Sequence, residues 1–318
     1  SDVCSSDLTN YWGGDFAGIT EKIESGYFED LGVTVLWLSP VVENPGGVYY
    51  GDDGRQYTGY HGYWPSALRK TQPRFGTLDE LRALTDAAHA RGIRVIADLV
   101  LNHVHEDHPH YSAHPEWFNG DGSCVCGQSC DWNSRALDCW FSPYLPDYAL
   151  QSTEVIDTVV EDALWWLKNA NLDGFRVDAV KHFERAVVRN LRGEMNRIEA
   201  RTGTKMLLLG ETFVGAGDRA QIASYVDDSQ LHGQFDFPWY WDVLRVIVRN
   251  EGGLGELEAT MDQTAAAYAS DAIMSPMLGN HDVARAYSHA AGDIGDLYGS
   301  GAKAQGWTNP PGFQRSEE

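Results

Sequence analysis

The chain has 318 residues, of which 43% are hydrophobic, enough for one large domain with a substantial core or for a barrel with an inserted subdomain. Its formal net charge of −22 disfavours nucleic acid and anionic lipid as partners. The sequence has no run of about 20 apolar residues that would cross a membrane. We therefore expect neither nucleic acid nor a membrane as a partner, while a neutral substrate would be indifferent to the charge, whose simplest interpretation is solubility. We also expect a monomer.

Both ends of the chain have features of foreign sequence. The first eight residues lack the basic start and the apolar stretch of a signal peptide. A short DNA sequence that resembles a sequencing adapter can encode residues 315–318, and its reverse complement fits within the codons for residues 4–8. We therefore expect residues 1–8 and 315–318 to be non-native, and Cys4 with them. Sequencing the gene without these flanks tests this expectation.

Strand and helix patterns alternate along the first hundred residues. Residues 33–38 form a short apolar run that predicts a buried strand. Thr77 and Glu80 have the spacing of a capping box, and apolar residues then recur at helical intervals until Gly92. Residues 93–97 follow as a second predicted strand.

The same alternation resumes at Ser152, which can cap a helix. A second helix is predicted over residues 184–201. The strands predicted in this part of the chain are residues 175–177, 206–209, 234–237 and 273–277. Such alternation indicates parallel strands with helical crossovers, in either an open doubly wound sheet or a (β/α)₈ barrel. No G-x-G-x-x-G motif follows a strand, which disfavours a dinucleotide-binding sheet.

Residues 104–151 interrupt the alternation. The segment is rich in Gly, His and Cys and is too long for an ordinary loop, so we predict an inserted subdomain. It contains four of the five cysteines, Cys124, Cys126, Cys130 and Cys139. Two disulfides would suit an exported protein, whereas the paired C-x₂-C spacing that is usual for zinc is absent. The sequence favours disulfides over zinc and leaves their pairing open.

Four of the predicted strands carry polar, acid-bearing clusters at their ends, in residues 98–104, 174–182, 209–212 and 278–283. A single acid after a strand is commonly a helix cap, but capping does not account for four clusters in succession. In a barrel, these strand ends converge on the face where active sites lie. Converging carboxylates suit the cleavage of glycosidic bonds, in which one acts as nucleophile and another as acid.

The four clusters resemble, in order, the signature motifs of the α-amylase family, glycoside hydrolase family 13. Tyr60-His61-Gly62-Tyr63-Trp64 and Leu145-Pro146-Asp147 resemble two further family motifs. The resemblance implies a (β/α)₈ TIM barrel formed by residues 9–103 and 152–314, with domain B at residues 104–151, after the third strand. The family's first and eighth strands would lie before residue 12 and beyond residue 311, so we expect this chain to lack both.

The resemblance also implies roles for individual residues. Asp178 would be the nucleophile, Glu211 the general acid and then base, and Asp282 the residue that stabilises the transition state. Arg176 lies two residues before Asp178, so both would share one face of a strand and the guanidinium would keep the carboxylate ionised. The implied substrate-binding residues are His61, Tyr63, His103, Arg176, Lys181, His182 and His281.

A structural calcium ion between barrel and domain B is implied as well. Its ligands would be Asn102, Asp147 and the backbone carbonyl of His182, and oxygen ligands suit this hard cation. Tyr63 would be the aromatic platform beneath the sugar, and Asp98 would support the site structurally.

The Leu145-Pro146-Asp147 form and the Lys181-His182 pair are more similar to endo-acting α-amylases than to the family's α-glucosidases. We therefore expect an extracellular or periplasmic enzyme that hydrolyses internal α-1,4-glucosidic bonds of starch-like glucans with retention. A transglycosylase, an α-glucosidase or a sucrose-acting relative would carry the same carboxylates. A non-catalytic sugar-binding barrel is disfavoured because all three carboxylates are present. Preferred chain length and products stay open.

Overall fold

The structure is a computed structural model that describes residues 11–297, apart from residues 12, 52, 53, 55, 293 and 296. The chain divides into two compact units, Ser1–Glu211 and Thr212–Glu318. The proposed non-native ends, with Cys4, lie outside the described residues, and so does the region expected to precede the family's eighth strand.

Parallel strands form the centre of the first unit. In order across the sheet they are β1 (Val35–Leu38), β6 (Arg94–Leu99), β7 (Gly174–Val177) and β8 (Leu207–Gly210). Two antiparallel pairs lie between β1 and β6 in the chain, formed by β2 (Val42–Glu43) with β5 (Ala67–Thr71) and by β3 (Tyr49–Tyr50) with β4 (Gln56–Tyr57).

The helices of the first unit are α1 (Phe16–Glu24), α2 (Tyr27–Asp30), α3 (Leu78–Ala90), α4 (Pro109–Ala113), α5 (Thr153–Ala170) and α6 (Arg185–Thr202). The predicted capping box is confirmed: the Thr77 hydroxyl accepts from the Glu80 N–H, and the Glu80 carboxylate accepts from the Thr77 N–H. Helix α5 begins after Ser152, as predicted, and buries Val155, Val159, Ala163 and Leu167. Ser152 occupies the N-cap position, but its side chain forms no capping hydrogen bond, so this part of the prediction is wrong. No helix among the described residues is both long enough and apolar enough to cross a membrane.

Strand β7 approaches β8 closely where it begins. Gly174 has φ +144° and pairs with Leu207, and a Cβ on Gly174 would lie 1.9 Å from the Leu207 carbonyl oxygen. Only glycine fits this position, because a side chain there would collide with the neighbouring backbone. The close approach fixes the register that places Arg176 opposite Leu209.

Residues 104–151 contribute no strand to the parallel sheet, and the structure describes all of them. Cys124 bonds to Cys130 and Cys126 to Cys139, so the prediction of disulfides is confirmed and the zinc alternative is wrong. Val125, Cys126, Cys139 and Trp140 are buried. We name residues 124–139 the disulfide loop.

The second unit contains α7 (Arg219–Ala223), β9 (Gly233–Gln234), α8 (Phe237–Val243), a π-helical turn (Leu244–Val248), α9 (Leu254–Ala267) and α10 (Ala286–Ala290). The strand predicted over residues 234–237 is wrong beyond Gln234, because Asp236 accepts the Trp239 N–H and caps α8. The strand predicted over residues 273–277 is also wrong. Only Ser275 forms a bridge, to Phe235, and Pro276 lacks the N–H that would extend it.

Candidate active site

The guanidinium of Arg176 lies at the centre of the candidate site, and its side chain is completely buried. Nη1 donates to both carboxylate oxygens of Asp98, at 2.9 and 3.1 Å, and to Oδ1 of Asp178 at 2.6 Å. Nη2 lies 3.9 Å from Oε2 of Glu211. One cation therefore gathers three carboxylates from the ends of three neighbouring strands.

The parallel register produces this cluster. Asp98 on β6 pairs with Arg176 on β7, so the two side chains are lateral neighbours. Asp178 follows Arg176 by two residues and therefore lies on the same face. The Glu211 N–H donates to the Val177 carbonyl at 2.9 Å, which places Glu211 beside the end of β7.

Glu211 is held by the backbone that follows Asp178. The Ala179 N–H donates to its Oε2 at 3.0 Å, and the Val180 N–H donates to its carbonyl oxygen at 2.9 Å. Ala179 has φ +48°, in the left-handed region that a residue with a side chain seldom adopts. The strained turn aims its N–H at the acid, and an alanine in the sequence gives no signal of this role.

The structure brings His61, Tyr63 and His103 together around Asp98. The Tyr63 hydroxyl donates to Asp98 Oδ2 at 2.7 Å, and burial raises the pKa of Tyr63 far above its usual range, so the proton stays on the hydroxyl. His103 Nε2 lies 3.0 Å from the Tyr63 carbonyl, and His61 Nδ1 accepts the Tyr63 N–H at 3.0 Å. Burial lowers the pKa of His103, so this ring is neutral at pH 7.

Asp98 is the most buried of the three carboxylates. Burial raises the pKa of Asp98 to about 7, the Arg176 guanidinium opposes that rise, and the Asp178 carboxylate adds to it. The predicted supporting role of Asp98 has a physical basis here, because Asp98 accepts from both Arg176 and Tyr63.

Lys181 and His182 lie on the turn after Asp178, and His182 contacts the disulfide loop. Its Nδ1 lies 3.1 Å from the Ala136 carbonyl oxygen. Its ring centroid is 4.8 Å from that of Phe141 and 5.6 Å from that of Trp132. Burial and the Lys181 charge lower the pKa of His182 to about 4. Neither aromatic neighbour was among the residues singled out from the sequence.

Two of the predicted calcium ligands are in contact. Asn102 Nδ2 donates to Asp147 Oδ1 at 2.8 Å, and Asn119 Nδ2 donates to Asp147 Oδ2 at 2.9 Å. Burial raises the pKa of Asp147 well above its usual range, against the two amide donors. In the part of the chain that the structure describes, no three His, Cys, Asp or Glu side chains cluster closely enough to hold a metal ion.

Asp282 and His281 belong to the second unit, where they lie in a turn that follows α9 in the chain. His281 Nε2 is 3.3 Å from Asp282 Oδ2, and the Asp282 N–H donates to Asn280 Oδ1 at 2.8 Å. Their place in the active site stays a prediction.

Comparison with known proteins gives one consistent family. The family model described as alpha amylase, catalytic domain, matches residues 4–302. A cyclomaltodextrin glucanotransferase of Bacillus licheniformis is 32% identical over 301 residues, which cover 89% of this chain and 41% of that protein. An α-amylase of Niallia circulans is 30% identical over 298 residues, which cover 89% of this chain and 55% of the relative.

Solved structures agree with the sequence relatives. The α-amylase of Geobacillus thermoleovorans in complex with acarbose is 30% identical with a TM-score of 0.76, over 92% of this chain and 61% of that one. An Anoxybacillus α-amylase is 28% identical with a TM-score of 0.77, over 92% of this chain and 60% of that one. These likenesses confirm the predicted α/β class and barrel fold. The chain spans about two fifths to three fifths of the length of the relatives it matches.

Replacing Arg176 by Met should destabilise the fold and disorder the site. Removal of the cation leaves the buried Asp98 and the neighbouring Asp178 without their charged hydrogen-bond donor, so the free energy of unfolding should fall by roughly 3–5 kcal/mol. Urea denaturation followed by circular dichroism measures the loss. Arg135→Met is the matched control, because Arg135 forms an exposed ion pair with Asp138 and should change the midpoint little. Equal midpoints for the two variants would contradict the central role of Arg176.

Proposed function

The chain belongs to the α-amylase catalytic-domain family, and we propose that it hydrolyses internal α-1,4-glucosidic bonds of starch-like glucans with retention of configuration. The observation that carries the proposal is the buried Arg176 guanidinium, which holds Asp178 and lies beside Glu211 at neighbouring strand ends. Retaining glycosidases need such a pair, one carboxylate as nucleophile and one carboxylic acid as proton donor.

Asp178 is the proposed nucleophile. Its Oδ1 accepts from Arg176 at 2.6 Å, so the guanidinium orients the carboxylate for attack. With Oδ1 held, Oδ2 would form the bond to the anomeric carbon as the glycosidic bond breaks. The side chain is 16% exposed, so it is accessible yet fixed.

Glu211 is the proposed acid and base. Its contact with the guanidinium, at 3.9 Å, is longer than that of Asp178, and its Oε2 accepts the Ala179 N–H at 3.0 Å. It would give its proton to the leaving oxygen in the first step. In the second step it would take a proton from the water that attacks the anomeric carbon and releases Asp178.

The remaining sugar contacts follow from the positions of the side chains. His103 and Tyr63 lie around Asp98 beside the nucleophile, so they are proposed to bind the sugar at the cleavage point, with His61 behind them. Lys181 and His182 are proposed to contact the leaving part of the glucan. Asp282 and His281 are proposed to stabilise the transition state and bind the same sugar, as the family motif implies.

Transglycosylation is the second candidate activity, because several of the relatives are cyclomaltodextrin glucanotransferases. In that reaction a sugar hydroxyl would replace water in the second step, with the same use of Asp178 and Glu211. Separation of the products from soluble starch distinguishes the two: linear oligosaccharides with new reducing ends indicate hydrolysis, and cyclic or lengthened glucans indicate transfer.

A structural calcium ion is proposed at Asn102 and Asp147. Asn102 Oδ1 is buried without a hydrogen-bond partner, and the buried Asp147 carboxylate is hydrogen-bonded by neutral amides. An orphaned amide oxygen beside a buried carboxylate fits a cation that prefers oxygen ligands, and the His182 carbonyl is the proposed third ligand. The ion would supply charge compensation and tie domain B to the sheet.

An extracellular or periplasmic location is also proposed. Its support is the pair of disulfides in residues 124–139, since such bonds form and persist in oxidising compartments.

Replacing Glu211 by Gln removes the proton donor while keeping the shape of the side chain. Hydrolysis of starch should fall by about 10²–10⁴-fold, which is the usual contribution of general acid catalysis. A reducing-sugar assay measures this loss, and Asp157→Asn, at an exposed position on α5, is the matched control expected to keep parental activity. Parental activity in Glu211→Gln would refute the proposed role.

Calcium should stabilise the protein most at neutral pH. Because the pKa of Asp147 is raised in the fold, its contribution to stability is fully present below about pH 4 and is lost as the pH rises towards that raised value. A bound cation offsets this loss by stabilising the ionised carboxylate. The melting temperature should therefore rise on adding CaCl₂ in place of a chelator, by roughly 2–4 °C per kcal/mol of binding, and more at pH 7.5 than at pH 5.

The control for the calcium experiment is Asp121→Asn, an exposed acid of the same inserted segment, which should keep the full calcium response. Asp147→Asn should abolish it. A calcium response that survives in Asp147→Asn would place the ion elsewhere.

A further inference from the structure

The three carboxylates of the candidate site engage only part of the Arg176 guanidinium. Nη1 donates to Asp98 and Asp178, and Nη2 lies 3.9 Å from Glu211. Nε and Nη2 form no hydrogen bond with any residue that the structure describes, although the whole side chain is buried. A buried donor without an acceptor is costly, so a further interaction with the guanidinium is expected.

The indole of Trp37 supplies such an interaction. Cζ of Arg176 lies over the Trp37 ring, 5.2 Å from its centroid, within the distance at which an aromatic face attracts a cation. Trp37 is half-buried and belongs to β1, whereas the three carboxylates lie on or directly after β6, β7 and β8. The contact therefore adds a fourth strand to the groups that surround Arg176.

The strand register places both side chains on one face of the sheet. Trp37 pairs with Ile96 on β6, and Asp98 lies two residues after Ile96. Residues two apart in a strand share a face, so Trp37 lies on the same face as Asp98. Asp98 in turn pairs with Arg176 on β7. The contact between the indole and the guanidinium thus follows from the pairing of β1, β6 and β7.

We propose that Trp37 is a positioning residue for the proposed reaction, which holds the Arg176 guanidinium by a cation–π interaction and so keeps Asp178 aligned for attack. This inference rests on the proposed function. The attraction between an indole face and a cation is strongest where water is excluded, as it is around Arg176. If the guanidinium tilted, its 2.6 Å hydrogen bond would move the Asp178 carboxylate with it, and small misplacements of a reacting group slow catalysis.

The experiment weakens the face of the Trp37 ring while nearly keeping its shape. Trp37 is replaced by 5-fluorotryptophan and by 4,5,6,7-tetrafluorotryptophan, because fluorine withdraws electron density from the indole face. With soluble starch as substrate, kcat should fall by about twofold for the first and about tenfold for the second. KM should stay within about twofold, since Trp37 acts through Arg176 on the nucleophile.

Trp165 is the matched control for the fluorinated series. It is half-buried on α5, and its ring centroid is 4.9 Å from that of Trp166. The same fluorinated residues at Trp165 should leave kcat and KM as in the parent. Trp37→Phe keeps an aromatic face and should retain most of the parental kcat, whereas Trp37→Leu should lose about tenfold.

Stability gives a second readout that does not require activity. The urea midpoint should fall in the same order as kcat for the fluorinated series at Trp37 and should stay constant for the series at Trp165. A kcat or a midpoint that does not respond to fluorination of Trp37, or an equal response at Trp165, would overturn the inference alone. A parent chain that cleaves no α-glucan would overturn the proposed function and the inference with it.

Discussion

The buried guanidinium of Arg176 determines how the carboxylates of the site are arranged. Arg176 has no exposed side-chain surface, and a guanidinium in that position is tolerated only if negative charges compensate it. Asp98 and Asp178 supply them directly, and Glu211 lies at the edge of reach. The three carboxylates are thereby fixed relative to one another before substrate arrives, which is the preorganisation that charge-stabilising catalysis needs.

Several features of the fold position the groups around Arg176. Gly174 lets β7 and β8 approach closely, which sets Arg176 opposite Leu209, and the separate register between β6 and β7 aligns Asp98 with Arg176. The Tyr63 hydroxyl, from a segment outside the sheet, donates a further hydrogen bond to Asp98. Ala179 then turns the chain in a left-handed conformation and donates to Glu211. Loss of any one of these features would leave the charges of Arg176 and its carboxylates less well compensated.

Strand periodicity and cap spacing made the alternation of α3, β6, α5 and β7 predictable, because buried faces and the Thr77–Glu80 box are local signals. The polar clusters at strand ends pointed to Asp178 and Glu211 for the same reason. The sequence carries no local signal for contacts between segments that are distant along the chain. These contacts are the Ala179 N–H on Glu211, the Asn119 side-chain amide on Asp147, and the Trp132 ring beside His182. The strands predicted over residues 234–237 and 273–277 do not form at those lengths. Asp236 caps a helix, and Pro276 has no N–H to continue the pairing, despite the apolar pattern of both segments.

The α-amylase family includes hydrolases and glucanotransferases among the relatives of this chain, and both chemistries pass through a glycosyl-enzyme. Asp178, held by Arg176, is therefore the residue proposed to form that covalent bond. The direct test is to trap it with an activated fluorinated α-glucosyl donor that forms the intermediate faster than water removes it, and to map the label by mass spectrometry. We predict a glucosyl adduct on Asp178. A label on another carboxylate, or turnover with inverted configuration, would contradict the account.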